Sequence, residues 1–89
     1  MGLQLSRHFR ERWEERVGEP VPSPEEVEKM VRRHDTRWLQ KCRDLYTTRG
    51  RKYRVLALYW IRDRNVVIKV DEKNDVAVSV MTREEDHES

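Results

Sequence analysis

The chain has 89 residues, of which 36% are hydrophobic and 40% are charged, and its formal net charge is +2. This length allows one domain with a small core. The single cysteine, Cys42, excludes an internal disulfide and a cysteine-based zinc site. No apolar run approaches the roughly 18 residues of a membrane span. We therefore expect a cytoplasmic domain, because a lone cysteine suits a reducing compartment.

The first helix is predicted from an apolar stripe with helical spacing. Leu5, Phe9, Trp13 and Val17 recur every four residues, which places them on one side of a helix from about Ser6 to Val17. The glycine that follows is typical of a residue that ends a helix. We expect this stripe to face the core.

The second helix is predicted from its starting residues. Pro20 and Pro22 interrupt helical hydrogen bonding and mark a linker. Ser23 is a favourable N-cap, and Glu26 stands three residues later, as a capping box requires. We expect this helix to end near His34.

The next segment, residues 36–48, fits a helix or a strand. We favour a strand from Trp38 to Thr48, because Arg49-Gly50-Arg51 resembles a tight turn into the following strand. That following strand, from Tyr53 to Arg62, has apolar residues on both faces and is predicted to lie inside the sheet.

Two further strands complete the predicted sheet. They cover residues 66–70 and 76–82, and in the last one Val78 and Val80 are expected to alternate with Ala77 and Ser79. The chain thus predicts an α+β domain over residues 1–83. Two N-terminal helices pack on one face of a three- or four-stranded antiparallel meander. Residues 84–89 form an acidic tail that we expect to be disordered.

A row of His8, Arg12 and Arg16 runs beside the apolar stripe of the first helix. His8 can act as a general base or acid in metal-independent RNA cleavage, and the two arginines can grip a phosphate. Thr82 (or Ser79) can add a hydroxyl contact, so we predict these residues as catalytic. In the alternative interpretation, the arginines simply pair with nearby glutamates along the helix.

Charge is distributed unevenly along the chain, and the middle third of the chain is strongly basic. Residues 32–64 carry eleven basic and three acidic side chains, whereas both flanking thirds are net acidic. A polyanion is attracted to such a segment. Aromatic side chains among the cations can stack on unpaired bases, although core packing is their commoner role. The predicted nucleic-acid-binding residues are Arg49, Arg51, Lys52, Arg54, Trp60 and Arg62. No spacing predicts a metal site or a cofactor.

Three stretches carry a resemblance to a known group of proteins. They read His8-xxx-Arg12-xxx-Arg16, Ser23-Pro24-Glu25-Glu26-Val27-Glu28 and Val78-Ser79-Val80-Met81-Thr82. Together they resemble a family of small bacterial and phage domains, similar in layout to the BrnT and RelE type toxins. The resemblance implies a metal-independent ribonuclease that acts on messenger RNA and pairs with an antitoxin.

The sequence leaves three hypotheses. The first is an RNA-directed protein with a ribonuclease-toxin-like fold, acting as an endoribonuclease. The second is a nucleic-acid-binding module without activity, whose affinity falls with salt. The third is a partner in a toxin–antitoxin or phage protein complex, bound through an exposed strand edge.

Overall fold

The order of elements along the chain is one strand, two helices and four further strands. The computed structural model describes residues 2–43 and 53–82, and the side chains of residues 2–41 and 55–82. Within these residues the elements are β1 (Gln4–Leu5), α1 (Arg7–Arg16), α2 (Pro24–Arg32), β2 (Thr36–Arg43), β3 (Tyr53–Ile61), a 3₁₀ turn (Arg62–Arg64), β4 (Val66–Asp71) and β5 (Val76–Thr82).

The described strands form one mixed sheet in the order β1-β5-β4-β3-β2. The pairs β2–β3, β3–β4 and β4–β5 are antiparallel, whereas β1 runs parallel to β5. The backbone N–H of Gln4 donates to the Asp75 carbonyl at 2.8 Å, and that of Ser6 to the Ala77 carbonyl at 3.0 Å. The α+β class is confirmed. The prediction of a purely antiparallel sheet of three or four strands, preceded by both helices, was wrong. A two-residue strand is too short to show periodicity in the sequence.

A side-chain cap begins each helix, close to the predicted start of that helix. The Ser6 hydroxyl accepts a hydrogen bond from the Phe9 backbone at 3.0 Å and donates one to the Val78 carbonyl at 3.1 Å. Ser23 and Glu26 form the predicted capping box at α2. Gly18 follows α1 with φ +73°, a conformation that favours glycine. The second helix ends at Arg32, two residues before His34.

Both helices pack on one face of the sheet, as predicted. Phe9 and Trp13 of α1 and Val27 of α2 are almost fully buried, with the two α1 rings 5.8 Å apart. Their partners are residues of alternating position in β3 to β5, namely Ala57, Tyr59, Ile61, Val66, Ile68, Val70, Ala77 and Val80. The predicted stripe of α1 is therefore the core contact that fixes the helix on the sheet.

The opposite face of the sheet has a smaller apolar cluster. Leu56, Leu58 and Val67 are buried there, and the partly buried residues packed against them are Trp38, Trp60, Val78 and Met81. Val78 and Met81 share this face because the register shifts between Lys69 and Val70, which inserts one extra residue into β5. The strict alternation predicted for the last strand was therefore wrong. The two-sided character of β3 and its interior place are confirmed.

The ambiguous segment after α2 is a strand in its described part. β2 starts at Thr36, two residues before the predicted start, and pairs with β3 through Arg43. The predicted turn at 49–51 and the tail at 84–89 lie outside the described residues. No helix in the described part of the chain is long and apolar enough to cross a membrane.

Candidate functional site

Two members of the row on α1, His8 and Arg12, make their contacts along their own helix. The Arg12 Nε donates to His8 Nε2 at 3.4 Å, and its Nη1 lies 3.1 Å from Glu15 Oε2. The pairing of Arg12 with a neighbouring glutamate is therefore present, as the alternative interpretation expected. His8 is exposed on the outer side of the helix.

Arg16, at the other end of the row, points toward the sheet. Its Nη1 donates to the Val80 carbonyl of β5 at 3.4 Å, and its side chain lines a cavity of about 510 Å³ together with Thr82. His8 lies eight residues away, which is about 12 Å along a helix axis. His8 and Arg12 are not among the lining residues. The structure thus brings two of the four predicted catalytic residues together, Arg16 and Thr82.

This α1 cavity lies between the end of the first helix and the 3₁₀ turn. Its lining residues are Arg16, Val17, Glu19, Asp63, Arg64, Asn65, Val66 and Thr82. Arg64 forms an ion pair with Glu19 of the linker, and its guanidinium carbon lies 5.8 Å from the centroid of the Trp13 ring. Asn65 ends the turn with φ 54°, which redirects the chain into β4. The turn therefore presents Arg64 toward α1.

A second cavity, of about 410 Å³, lies on the other side of the same turn. We call it the α2 cavity, and its lining residues are Glu26, Lys29, Met30, Arg33, His34, Asp35, Ile61, Arg62, Asp63 and Arg64. Asp63 and Arg64 line both cavities. We call the two cavities, which share these two lining residues, the basic groove.

The cations of the basic groove fall into two groups. Arg62 lies 3.2 Å from the Asp35 carboxylate, and Arg64 pairs with Glu19, so their charges are partly neutralised. Lys29 on the last turn of α2 and Arg33, the residue that directly follows the helix, are exposed and form no ion pair within the described part of the chain. They lie four residues apart and thus on the same side of the helix. They are the groove cations best placed to bind an added anion.

Ion pairs neutralise part of the positive charge of the basic middle segment. Within the described part of the chain, four arginines of this segment form ion pairs with acidic residues. In three of these pairs the acidic residue comes from a flanking third of the chain. The pairs are Arg32–Glu28, Arg37–Glu72, Arg62–Asp35 and Arg64–Glu19. The excess of basic residues in the sequence therefore overstates the positive charge of this surface.

The predicted nucleic-acid-binding residues are only partly accounted for. Arg62 lines the α2 cavity, and its guanidinium carbon lies 5.4 Å from the centroid of the Trp60 ring. Trp60 is half-buried and packs in the smaller apolar cluster. The remaining four, Arg49, Arg51, Lys52 and the side chain of Arg54, lie outside the described residues. Lys29, Arg33 and Arg64 were not among the predicted binding residues, although the sequence shows the four-residue spacing of the first two.

A polar cluster on the helix side of the sheet joins two strands and the loop that follows β4. The Tyr59 hydroxyl donates to the Glu72 carboxylate, which also accepts from Arg37. Burial, first, and the hydrogen bond to Glu72 raise the pKa of Tyr59 above its ordinary value. Hydrogen bonds from Tyr59 and Arg37 lower the pKa of Glu72. The His34 ring meets Tyr59 edge-on, 5.0 Å between centroids, and this places the imidazole beside the α2 cavity.

The edge of the described sheet next to β2 is partly apolar. Leu39 of β2 is 59% exposed, and Val55 of β3, which pairs with Lys41, is 53% exposed. A partner strand can pair with such an edge. The binding of an antitoxin or another protein there stays a prediction.

Comparisons with known proteins give no relative for this chain. No family model matches it, and no curated protein or solved structure does. Among the described residues, no group of three or more His, Cys, Asp or Glu side chains is arranged to hold a metal ion. The function is therefore argued from the geometry of the basic groove.

Proposed function

We propose that this domain binds single-stranded RNA through the basic groove. The observation that carries the proposal is the convergence of five cations from three separate elements on two adjoining cavities. They are Arg16 of α1, Lys29 and Arg33 of α2, and Arg62 and Arg64 of the turn. Cavities of this size admit single phosphates and bases, and cationic grooves of this kind track a nucleic-acid backbone. The resemblance of the first helix and last strand to RNA-cleaving toxins favours RNA as the polyanion.

The expected affinity is moderate. The groove also contains four carboxylates, and two of them already pair with Arg62 and Arg64. If two or three cations displace counterions from a single strand, the logarithm of the binding constant falls with the logarithm of salt with a slope of about −1.4 to −2. Binding should therefore be clear at low salt and weak at high salt.

The experiment is fluorescence anisotropy of a labelled short single-stranded RNA with the full chain, over a series of salt concentrations. Arg33→Ala and Lys29→Ala should each weaken binding severalfold and make the salt slope shallower by roughly 0.7 to 1. The matched controls are Arg10→Ala and Lys73→Ala, which remove exposed cations that lie outside both cavities and form no described ion pair. Absence of binding at low salt, or equal losses in groove and control variants, would contradict the proposal.

A second candidate function is metal-independent RNA cleavage in the α1 cavity. It is favoured by the shared position of Arg16 and Thr82, beside Arg64 and two carboxylates, Glu19 and Asp63. In such a reaction a base removes the proton of a ribose 2′-hydroxyl, that oxygen attacks the adjacent phosphorus, and the 5′-oxygen leaves as it gains a proton. The arginines would stabilise the charge that develops on phosphorus-bound oxygens.

The cleavage candidate is tested with end-labelled RNA incubated with the protein in excess chelator. Specific fragments that disappear in Arg16→Ala and weaken in Thr82→Ala are expected if the α1 cavity is catalytic. RNA that is bound but remains intact would leave the domain as a binding module. Cleavage that persists in both variants would place any activity elsewhere on the chain.

A further inference from the structure

The α2 cavity has an apolar floor, and the α1 cavity also includes two apolar residues, Val17 and Val66, in its lining. Met30 of α2 and Ile61 at the end of β3 line it, and Ile61 is 4% exposed. The walls are polar and charged, and the volume of about 410 Å³ lies in the range of small-molecule sites. An apolar floor with polar walls suits a flat heterocycle with hydrogen-bonding edges better than a phosphate group. A base is therefore a suitable occupant of this cavity.

The hydrogen-bond donors of the α2 cavity lie at the end of the second helix. Lys29 and Arg33 form no ion pair within the described residues, so their N–H groups are available to an acceptor. The His34 Nδ1 lies 2.8 Å from the Val31 carbonyl oxygen. Since that oxygen can only accept, Nδ1 donates the proton of this hydrogen bond.

The carboxylates of the α2 cavity differ in whether they already have a hydrogen-bond or ion-pair partner. Glu26 accepts hydrogen bonds from Ser23 in the capping box, and Asp35 pairs with Arg62. Asp63 makes no hydrogen bond or ion pair with any described residue, and it lies where the two cavities meet. Both of its oxygens are therefore available to a pair of adjacent donors.

This combination matches one of the four RNA bases. Guanine offers two neighbouring acceptors, O6 and N7, which lysine and arginine bind best, and two neighbouring donors, N1–H and N2–H₂, which a carboxylate can accept together. Adenine and cytosine offer an amino donor next to an acceptor, and uracil offers a single ring donor. We infer that the α2 cavity takes one unpaired guanine base, with Lys29 or Arg33 at O6 and N7 and Asp63 at N1 and N2. The inference rests on the proposed RNA binding and specifies its base preference.

The experiment compares short single-stranded RNAs that differ at one central nucleotide within an otherwise uridine sequence, using the full chain and the same anisotropy measurement. The RNA with guanosine should bind about tenfold more tightly than those with adenosine, cytidine or uridine, as expected for one well-formed bidentate contact. Replacement of guanosine by inosine, which lacks the 2-amino group, should remove a large part of this preference. Equal affinities for all four RNAs, with salt-dependent binding intact, would overturn the inference and leave the proposed function standing. Absence of binding to every RNA would overturn both.

A single variant separates the base contact from general charge. Asp63→Ala should remove a large part of the guanosine preference and, because it removes a negative charge from the groove, should also raise affinity for the uridine RNA severalfold. Glu14→Ala is the matched control, since Glu14 is an exposed carboxylate on α1 that lies outside both cavities. Circular dichroism and the thermal midpoint establish that each variant is folded, and Asp63→Asn provides a second variant of nearly the same size. A guanosine preference of undiminished size in folded Asp63→Ala would overturn the assignment of this carboxylate.

Discussion

The Tyr59 hydroxyl donates a hydrogen bond to the carboxylate of Glu72, and this contact ties the third strand to the loop that follows the fourth. Arg37 of β2 reaches the same carboxylate, so one acidic side chain joins three segments that are far apart in sequence. Tyr59 is 6% exposed, and its ring contacts the His34 ring beside the α2 cavity. The cluster thus links the sheet edge to the groove.

The first prediction concerns the acid stability of this cluster. The pKa of Glu72 lies below its ordinary 4.5 because Tyr59 and Arg37 donate hydrogen bonds to the ionised form. The ionised form is therefore favoured in the folded state. Its contribution to the free energy of unfolding is present above about pH 4.5 and is lost as the pH falls through the folded pKa. Glu72→Gln should lower stability at neutral pH and flatten this acid-side decline.

The measurement is urea unfolding at neutral pH and at several acidic pH values. Glu14→Gln is the control, since Glu14 is exposed and has no described partner. The two variants should differ in the slope of stability against pH. Parallel pH curves for wild type and Glu72→Gln would contradict the role of this carboxylate.

The second prediction compares two leucines on opposite faces of the sheet. Leu58 is 1% exposed in the smaller apolar cluster, whereas Leu39 is 59% exposed. Leu58→Ala should lower the free energy of unfolding by about 2–5 kcal/mol, because it leaves a cavity among packed side chains. Leu39→Ala should change it by less than about 0.5 kcal/mol. Equal effects in denaturant unfolding would show that the face without helices is not packed as described.

The third prediction concerns the start of α2. Ser23→Ala removes the hydroxyl that accepts from the Glu26 backbone N–H at 3.2 Å, and should lower the free energy of unfolding by about 1 kcal/mol. Ser23→Asp keeps an acceptor at the same position and should retain most of the stability. Thermal unfolding of both variants checks this. If Ser23→Asp lost as much stability as Ser23→Ala, the loss would not come from the missing hydrogen-bond acceptor.

The fourth prediction separates the two ends of the row on α1. Arg16 lines the α1 cavity, whereas His8 is exposed and contacts Arg12. Arg16→Ala should therefore weaken RNA binding severalfold, and His8→Ala should leave it nearly unchanged. Both variants are measured with the same labelled RNA and salt series. An equal loss in both would indicate that RNA binds along the outer side of α1 and not in the groove.

Much of the fold was predictable because its signals are local. The four-residue spacing of Phe9 and Trp13 defined the buried side of α1, and the capping box defined the start of α2. The two-sided apolar pattern of β3 correctly placed it inside the sheet. Features that depend on distant backbone partners were missed. They are the parallel pairing of β1 with β5 and the extra residue of β5 at the register shift.

The candidate site was less predictable, for a physical reason. The sequence by itself determined the helices, the two-sided character of β3 and the number of cations, because these depend on neighbouring residues. Only the tertiary structure decided which cations remain available, because Glu19 and Glu72 neutralise arginines more than thirty residues away. It also separated His8 from Thr82 and brought Asp63 to the point where the two cavities meet. Charge compensation over such separations in sequence arises from folding and cannot be read from spacing alone.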